Sequence, residues 1–384
     1  MKRIRFGVIG CGLMGREFGS SAVRWCHLLD MQAYPEIVAV CDTNKELYSW
    51  FQQSLPTVQQ ATQDYHQLLA NPDVDAVYCA VPHNLHEKLY CDTIKAGKHL
   101  MGEKPFGIDK KANEAITACI KEHPDVFVRC CSQFPFYPGA QRIGQMIEAK
   151  VFGQIIEVNS GILHSSDLDP DKPINWKRMI EYNGEYGCMG DLGLHICHLP
   201  LRAGWVPKNV RAILSNIIPN RFDRNGKTVP CKTWDNATLF CESLDPATNN
   251  TFPMTLKAQR IAPGEKNSWY IEILGTKASA RFSTKNPACL QIMEYKSGQE
   301  QVWQQIDIGY ETTFKAITGS VFEFGFPDAI LQMWAAFIYE LNTAKPLTKF
   351  SSCATPEEAA ISHRLFTAAL ESQKHSTTVT FHYD

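Results

Sequence analysis

The segment around Asp191 contains a carboxylate and two imidazoles that are suited to acid–base chemistry. Asp191 and His195 are four residues apart, so on a helix they share one face, where a carboxylate and an imidazole form an oriented general base. His198 follows three residues later, and the three side chains could instead bind a metal ion. A structural Asp–His pair without chemistry is a third interpretation. We predict no metal site, because no further ligand motif accompanies these residues.

A second reactive side chain is Lys104, which stands in the segment Glu103-Lys104-Pro105 after a short strand-like run. A residue before proline is driven towards extended backbone, which gives its side chain a defined direction. In an open α/β sheet, ligands bind at the carboxyl ends of the strands, and Pro82, His83 and His86 also follow such a strand. A lone lysine in a loop would ordinarily be a solvated charge, so its role depends on the elements around it.

The strongest motif is a G-x-G-x-x-G pattern at Gly10, Gly12 and Gly15, which follows an apolar strand-like run and opens a helical stretch. Gly10 would permit the tight turn, Gly12 would let the backbone approach a pyrophosphate, and Gly15 would allow close helix packing. The phosphates would lie at a helix N-terminus, where amide groups and the helix dipole favour anions. Leu13 and Met14 belong to the same turn and are included in the predicted dinucleotide site.

Asp42 is the acid expected at the end of the second strand, where it would accept hydrogen bonds from the adenosine ribose. Its carboxylate would repel a 2′-phosphate, so we predict NAD in preference to NADP. Asp42 lies 27 residues beyond Gly15, whereas about 20 is usual. A longer first helix or an inserted turn within residues 20–34 would absorb the difference. The alternative is a glycine-rich turn with an unrelated aspartate.

The strands and helices predicted along the chain follow two patterns. Strand-like and helical runs alternate up to about residue 130, which indicates a doubly wound parallel sheet of the Rossmann type. Longer strand-like runs then follow one another with little helix between them, which indicates an α+β part with a large, mostly antiparallel open sheet. The sequence therefore predicts an α/β chain with a dinucleotide-binding domain over 1–130 and a substrate-binding and oligomerisation domain over 131–384.

Composition narrows the class of protein. The chain has 384 residues, 44% of them apolar, and a formal net charge of −2. This balance gives no electrostatic support for binding nucleic acid or an anionic membrane surface, and no run reaches the ~18 apolar residues of a membrane span. The N-terminus is a poor signal peptide. The 14 scattered cysteines indicate reduced thiols, so we expect a cytoplasmic location.

Taken together, the glycine motif, Pro82 to His86, Glu103-Lys104-Pro105 and Asp191-x-x-x-His195 resemble the glucose–fructose oxidoreductase, inositol dehydrogenase and rhizopine-catabolism (Gfo/Idh/MocA) family. The segment 273–282 is also similar to a sheet segment of that family. The resemblance implies a tightly held nicotinamide cofactor and a sugar or cyclic polyol substrate. It assigns the catalytic lysine to Lys104 and the catalytic aspartate and histidine to Asp191 and His195.

The same resemblance places Pro82, His83, His86, Glu103 and Lys104 in the cofactor site. Near the substrate the chain departs from the family pattern. Gln133 stands where many members have an asparagine, and the arginine that often follows is absent. His164 and Trp176 are further substrate candidates, because an aromatic face packs well on a sugar ring. A tryptophan buried in the core is an equally good interpretation of Trp176.

These residues predict an NAD-dependent dehydrogenase that moves a hydride between nicotinamide and a secondary hydroxyl or ketone. His195 would act as general base, Asp191 would orient it or bind a neighbouring hydroxyl, and Lys104 would stabilise the developing alkoxide. Two alternatives stay open: an NAD-dependent glycosidase with transient redox chemistry, and a non-catalytic dinucleotide sensor. The sequence does not specify the sugar, the carbon oxidised or the direction.

The large sheet of the second predicted domain also bears on the oligomeric state. A large open sheet needs its second face covered, because exposed apolar strands favour aggregation. We therefore expect a homodimer or homotetramer formed through that sheet, which the family resemblance also implies.

Overall fold

The computed structural model describes residues 1–309 and 311–380. The chain forms two compact units: the first comprises 1–136 and 310–360, and the second comprises 137–309 and 361–384. The sequence predicts one change of domain, between 130 and 131, and does not predict the return of 310–360 to the first unit. The last residues of the predicted second domain, 381–384, lie outside the described part of the chain.

The first 136 residues alternate strands and helices. The strands are β1 (Lys2–Ile9), β2 (Ala33–Cys41), β3 (Gln60–Thr62), β4 (Ala76–Cys79), β5 (His99–Gly102) and β6 (Val128–Cys130). The helices are α1 (Leu13–Val23), α2 (Tyr48–Ser54), α3 (Tyr65–Leu69), α4 (His86–Lys95) and α5 (Lys110–Glu122). A 3-10 turn over Arg24–His27 follows α1 and accounts for part of the long spacing between Gly15 and Asp42.

The six strands of the first unit form one parallel sheet in the order β3-β2-β1-β4-β5-β6. This is the Rossmann order, in which the order of the strands across the sheet reverses between β1 and β4 while all strands stay parallel. The parallel pairing brings the carboxyl ends of the strands to one edge. The glycine motif, Asp42, Pro82 and Glu103 therefore all follow strands at the same edge of the sheet.

Residues 137–309 contribute the greater part of the second unit. The helices are α6 (Pro138–Glu148), α7 (Ile180–Asn183) and α8 (Cys188–Ala203). The strands are β7 (Ile155–His164), β8 (Pro207–Ser215), β9 (Asn220–Phe222), β10 (Thr228–Pro230), β11 (Asn236–Asp245), β12 (Asn250–Gln259), β13 (Lys266–Gly275), β14 (Ala278–Ser283), β15 (Cys289–Glu294) and β16 (Gln304–Asp307). The chain ends its described part with α9 (Phe326–Thr343), α10 (Pro356–His375) and β17 (Val379–Thr380).

A nine-stranded sheet organises the second unit in the order β16-β15-β14-β13-β7-β12-β11-β8-β17. Its neighbouring strands are antiparallel except for β7 and β12, which pair in parallel. Helix α8 packs against β7, β11 and β12, and all of its residues are buried. A helix that is buried on every side is a core element, so α8 holds its side chains in fixed positions.

The first unit has an aromatic core that α9 completes. Trp334 of α9 stacks on Phe18 of α1 with ring centroids 3.7 Å apart, and it meets Phe6 of β1 and Tyr78 of β4 edge to face. All four side chains are no more than 1% exposed. Aromatic pairs of this geometry add about 0.5–1.5 kcal/mol each beyond their buried area. The late helix therefore packs beneath the same sheet that carries the glycine motif.

Several strands and helices of the structure are not predicted from the sequence. Strands β3, β9 and β10 have only three residues each. They are too short to show an alternating pattern of apolar and polar residues. Helix α6 buries Gly139, Ala140 and Gly144, small residues that give a weak apolar period. Strand β8 does carry a signal, because Val210, Ala212 and Leu214 alternate with more exposed residues. No helix within residues 1–309 and 311–380 has the length and apolar character to cross a membrane.

Candidate active site

The turn between β1 and α1 has the backbone geometry that its glycines suggest. Gly10 has φ of +98°, a region that favours glycine, and a Cβ on it would collide with the carbonyl of Ala80. A Cβ on Gly15 would collide with the carbonyl of Gly10, so α1 starts in close contact with the turn. At Gly12 a Cβ would meet nothing within 4 Å. The backbone at Gly12 therefore faces open space.

Asp42 lies against this turn. One carboxylate oxygen of Asp42 accepts a hydrogen bond from the Cys11 amide at 2.8 Å, and the other accepts from the Asn44 amide at 2.8 Å. The carbonyl of Asp42 accepts a hydrogen bond from the Tyr48 hydroxyl at 2.6 Å. These bonds fix the end of β2 beside the glycine turn, and each carboxylate oxygen retains a lone pair for a further donor.

The turn fits a dinucleotide. The first turn of α1, Leu13 to Arg16, contains no acidic side chain, and helix geometry leaves its first amides without intrahelical acceptors. Leu13 is 67% exposed, and Met14 is half-buried. A pyrophosphate would meet amide donors and the positive end of the helix dipole at this position, with the carboxylate of Asp42 close to the same turn.

The loops after β4 and β5 place their predicted residues differently. Pro82 is half-buried, and His83 and His86 are buried. The His86 ring contacts two backbone carbonyls: Nδ1 lies 2.6 Å from the oxygen of Pro105, and Nε2 lies 3.0 Å from that of Val81. Burial lowers the pKa of His86 to about 4, so the ring is neutral at neutral pH. His86 thus binds the protein's own backbone.

Lys104 is half-buried, between a buried Glu103 and a buried Pro105, and the Lys104–Pro105 peptide is cis. The Tyr78 hydroxyl donates to Oε1 of Glu103 at 2.7 Å, and the Lys104 amide donates to Oε2 at 3.3 Å. The Tyr90 hydroxyl donates to the carbonyl of Glu103 at 2.6 Å. Glu103 is therefore bound within the first unit through both its side chain and its backbone.

In the second unit, α8 carries Asp191, His195 and His198, all of them buried. The carbonyl of His195 accepts a hydrogen bond from the indole of Trp269 on β13 at 2.9 Å. Burial, followed by the charge of Arg202, lowers the pKa of His198 well below its usual value. Within the described residues, no group of three or more His, Cys, Asp or Glu side chains is placed to hold a metal ion.

Asp191 lies between two cations. The ammonium of Lys177 donates to both of its oxygens at 2.8 and 3.0 Å, and the guanidinium of Arg260 donates to Oδ2. Arg260 also donates to the carboxylate of Asp167 at 2.8 Å. Asp191 and Asp167 are at most 1% exposed and Arg260 is 4% exposed. Charge-assisted bonds of this kind fix the orientation of a carboxylate.

Asp167 is the far end of this charged network. Burial opposes its ionisation, but the hydrogen bond and the charge of Arg260, with the charge of Lys172, lower its pKa to about 2. Sequence spacing gives no signal for Lys177, Arg260 or Asp167. The one available indication is chemical: a buried aspartate such as Asp191 needs a cationic partner.

The three predicted substrate residues have separate environments. Gln133 is buried in the first unit. His164 ends β7 half-buried, and burial, followed by the charge of Arg260, lowers its pKa to about 4. Trp176 is half-buried, with the ammonium of Lys177 at 5.5 Å from its ring centroid. His164 and Trp176 thus border the charged network around Asp191, and their role towards a substrate stays a prediction.

Comparison with known proteins agrees with the predicted family and fold class. Residues 4–129 match the model of the Gfo/Idh/MocA oxidoreductase family with an NAD-binding Rossmann fold. A solved structure of levoglucosan dehydrogenase in complex with NADH and L-sorbose has a TM-score of 0.87, covers 99% of both chains and is 21% identical. That likeness confirms the fold, including the mostly antiparallel second sheet.

Curated relatives also match by sequence, and two of them show the range of similarity. Levoglucosan dehydrogenase of Pseudarthrobacter phenanthrenivorans is 24% identical over 306 residues, which are 76% of this chain and 76% of that protein. An inositol 2-dehydrogenase/D-chiro-inositol 3-dehydrogenase of Lactiplantibacillus plantarum is 29% identical over 179 residues, 46% of this chain and 48% of that protein. Both relatives are named as dehydrogenases of sugars or cyclic polyols.

Proposed function

We propose that the chain, whose residues 4–129 match the Gfo/Idh/MocA oxidoreductase family, is an NAD-dependent dehydrogenase of a pyranose, an inositol or a related cyclic polyol. The observation that carries the proposal is the glycine turn with the Asp42 carboxylate bonded to the Cys11 amide at 2.8 Å. The geometry of this turn suits the pyrophosphate and adenosine ribose of NAD. The similarity to levoglucosan and inositol dehydrogenases supports the substrate class.

The cofactor residues divide by the part of NAD that they would hold. The amides that follow Gly10 and Gly12 would bind the pyrophosphate, with Leu13 and Met14 in the same turn. Asp42 would accept hydrogen bonds from the adenosine ribose. Pro82, His83, His86 and Glu103 would shape the loops at the nicotinamide end. NAD, when bound, would supply the acceptor for a hydride from the substrate carbon.

Two side chains would act on the reacting hydroxyl of the substrate, and a third would orient the base or the substrate. His195 would take its proton as general base, a step that suits an imidazole at neutral pH. Lys104 would donate a hydrogen bond to the same oxygen and stabilise the negative charge that develops there. Asp191, held by Lys177 and Arg260, would stay in one orientation and accept a hydrogen bond from the His195 ring or from a neighbouring substrate hydroxyl.

The surroundings of Asp191 suit a polyol. Trp176 would offer an apolar ring face to the substrate, and the ammonium of Lys177 lies over the same ring at 5.5 Å from its centroid. His164, whose pKa is lowered to about 4, is neutral at neutral pH and would act as a hydrogen-bonding group without charge. Gln133, which belongs to the first unit, would supply an amide group for hydrogen bonding to the substrate.

The test is a screen of levoglucosan, inositols and monosaccharides for NADH formation with the wild-type enzyme and two variants. His195→Ala should lower turnover about 10²- to 10⁴-fold, and Lys104→Ala about 10²- to 10³-fold. Both variants should bind NAD within a few-fold of wild type in a fluorescence titration, because the glycine turn and Asp42 are intact. His375→Ala, which removes an exposed histidine of the second unit, should leave turnover unchanged.

Three outcomes would contradict the proposal. A folded His195→Ala enzyme with near wild-type turnover would remove His195 from the chemistry. Release of an aglycone without net NADH would indicate a glycosidase with transient redox chemistry. Tight NAD binding without turnover of any polyol would indicate a dinucleotide sensor.

A further inference from the structure

We propose that His86 and Tyr90 are positioning residues for Lys104: together they hold the backbone on both sides of it and so determine where its side chain can reach. The inference rests on the proposed function, since it concerns the lysine assigned there to the reacting oxygen. It gives His86 and Tyr90 of α4 a role that is exercised through the position of Lys104.

The geometry is a clamp between one helix and one loop. His86 and Tyr90 are four residues apart on α4, so they share one face of that helix. The Tyr90 hydroxyl donates to the carbonyl of Glu103 at 2.6 Å. Nδ1 of His86 lies 2.6 Å from the carbonyl of Pro105. These are the carbonyls of the two residues that flank Lys104.

The carboxylate of Glu103 provides a third attachment. Its Oε1 accepts from the Tyr78 hydroxyl of β4 at 2.7 Å, and its Oε2 accepts from the Lys104 amide at 3.3 Å. The backbone at Lys104 is thereby tied to β4 as well as to α4. A lysine side chain is a flexible stem of four carbons, so its ammonium can be placed reproducibly only if its Cα is fixed.

The clamp is buried and closely packed. His86 and Tyr90 are both 0% exposed, and their rings stack with centroids 4.8 Å apart and planes inclined by 17°. A Cβ on Gly102 would lie 2.8 Å from the Tyr90 ring, so the glycine before Glu103 is what admits the tyrosine. Removing one buried donor here leaves a carbonyl without its partner, because water cannot replace it readily.

The position of the proton on the His86 ring determines which of the two carbonyls accepts a hydrogen bond from it. With its pKa lowered by burial to about 4, the ring carries one proton at neutral pH and can donate a single hydrogen bond. The contact from Nδ1 to the Pro105 carbonyl is 2.6 Å, and that from Nε2 to the Val81 carbonyl is 3.0 Å. We assign the proton to Nδ1, because its contact with the Pro105 carbonyl is the shorter of the two. This hydrogen bond is therefore the one next to Lys104.

The first experiment compares Tyr90→Phe with Tyr65→Phe. Tyr90→Phe removes only the hydroxyl on Glu103. Tyr65→Phe removes a hydroxyl that donates to Asp92 of the same helix α4 at 2.7 Å. This hydrogen bond does not involve residues 103–105. Misplacement by about 1 Å can cost about 10²-fold in rate, so Tyr90→Phe should lower kcat about 10- to 100-fold. Its KM for NAD should stay within about twofold of wild type, and Tyr65→Phe should match wild type in both values.

The second experiment uses amide variants of His86. An asparagine amide nitrogen occupies the place of Nδ1, and a glutamine amide nitrogen approaches the place of Nε2. His86→Asn should therefore keep kcat within about fivefold of wild type, whereas His86→Gln should lower it about as much as Tyr90→Phe. Equal kcat in the two variants would overturn the assignment of Nδ1 as the donor.

Hydrogen–deuterium exchange of the peptide that covers residues 102–107 provides a readout independent of turnover. Exchange should rise in this peptide in Tyr90→Phe and His86→Gln and should stay at the wild-type rate in Tyr65→Phe and His86→Asn. If wild type oxidises no polyol, the proposed function fails, but the exchange pattern still decides whether the clamp holds Lys104. Unchanged exchange in Tyr90→Phe, or a uniform rise over the whole first unit, would overturn the positioning role.

Discussion

Asp42 shows how one side chain can serve both the protein and a cofactor. Its carboxylate bonds the amide of Cys11 inside the glycine turn and the amide of Asn44 just beyond β2. The same carboxylate is the group that we assign to the adenosine ribose. A carboxylate in this position disfavours a 2′-phosphate, because two anions would meet at close range.

Replacing Asp42 should therefore change cofactor preference. Asp42→Ser should weaken NAD binding and improve NADP binding. Because hydrogen bonds to a charged group contribute about 1.5–3 kcal/mol, the ratio of the two dissociation constants should shift about 10- to 100-fold. The measurement is a fluorescence titration with each cofactor. Asp125→Ser, at an exposed aspartate before β6, should leave the ratio unchanged. Tighter binding of NADP than NAD by wild type would show that the role given to Asp42 is wrong.

At the scale of elements, the parallel pairing of β7 and β12 explains the charged network of the second unit. Leu163 pairs with Gln259, so the chain leaves both strands at the same edge of the sheet. Asp167 follows β7 and Arg260 follows β12, and they meet there at 2.8 Å. Arg260 then reaches Asp191 on α8. The orientation of two neighbouring strands thus places Arg260, one of the two cations that bind the proposed catalytic aspartate.

This network should make stability depend on pH in the acid range. The pKa of Asp167 is about 2 in the folded chain, against an ordinary value of 3.8. Its depressed pKa contributes about 2 kcal/mol to the free energy of unfolding above pH ~4, and this contribution is lost as pH falls towards 2. Asp167→Asn should accordingly flatten the pH dependence of that free energy below pH ~5.

Urea unfolding followed by tryptophan fluorescence at a series of pH values measures this dependence. Asp169→Asn is the matched control, because Asp169 is exposed two residues away. An equal slope in wild type and Asp167→Asn would show that the bond between Arg260 and Asp167 contributes nothing to the acid dependence.

At the scale of the whole molecule, the nine-stranded sheet presents a partly apolar face opposite α8. Phe240 pairs with Arg211, and Thr238 pairs with Ile213, so these side chains lie on one face. Phe240 is 48% exposed and Ile213 is 53% exposed. Isolated apolar side chains are normal on protein surfaces, but neighbouring ones on an open sheet favour association.

We expect this face to join two copies of the chain in a homodimer, with a homotetramer as the larger alternative. Phe240→Glu should raise the dimer dissociation constant at least tenfold, because it places a charge in an apolar contact whose loss costs roughly 1.5–3 kcal/mol. Sedimentation velocity at micromolar concentration measures the change. Phe222→Glu, at a similarly exposed phenylalanine of the separate β9–β10 sheet, should leave assembly unchanged. A wild-type monomer under these conditions would contradict the expectation.

Features that depend on interactions between residues near each other in the chain could be predicted from the amino-acid sequence. Alternating strands and helices predict the Rossmann sheet, and the glycines at 10, 12 and 15 predict its first turn, because steric limits on φ and on close approach act within a few residues. The spacing of Asp191 and His195 predicts a shared helix face, and α8 provides it. The family resemblance, carried by the same short motifs, agrees with the match over residues 4–129.

The hydrogen-bonding and packing partners of those residues depend on contacts between distant parts of the chain, which the fold alone reveals. Nothing local distinguishes a parallel β7–β12 pair from an antiparallel one, so the sequence does not reveal that Arg260 and Asp167 would meet. The return of 310–360 to the first unit depends on Trp334 packing on Phe18, a contact between residues far apart in the chain. His86 likewise owes its proposed role to carbonyls across the fold. Local propensities specify elements, whereas long-range packing and hydrogen bonding select which side chains complete a site.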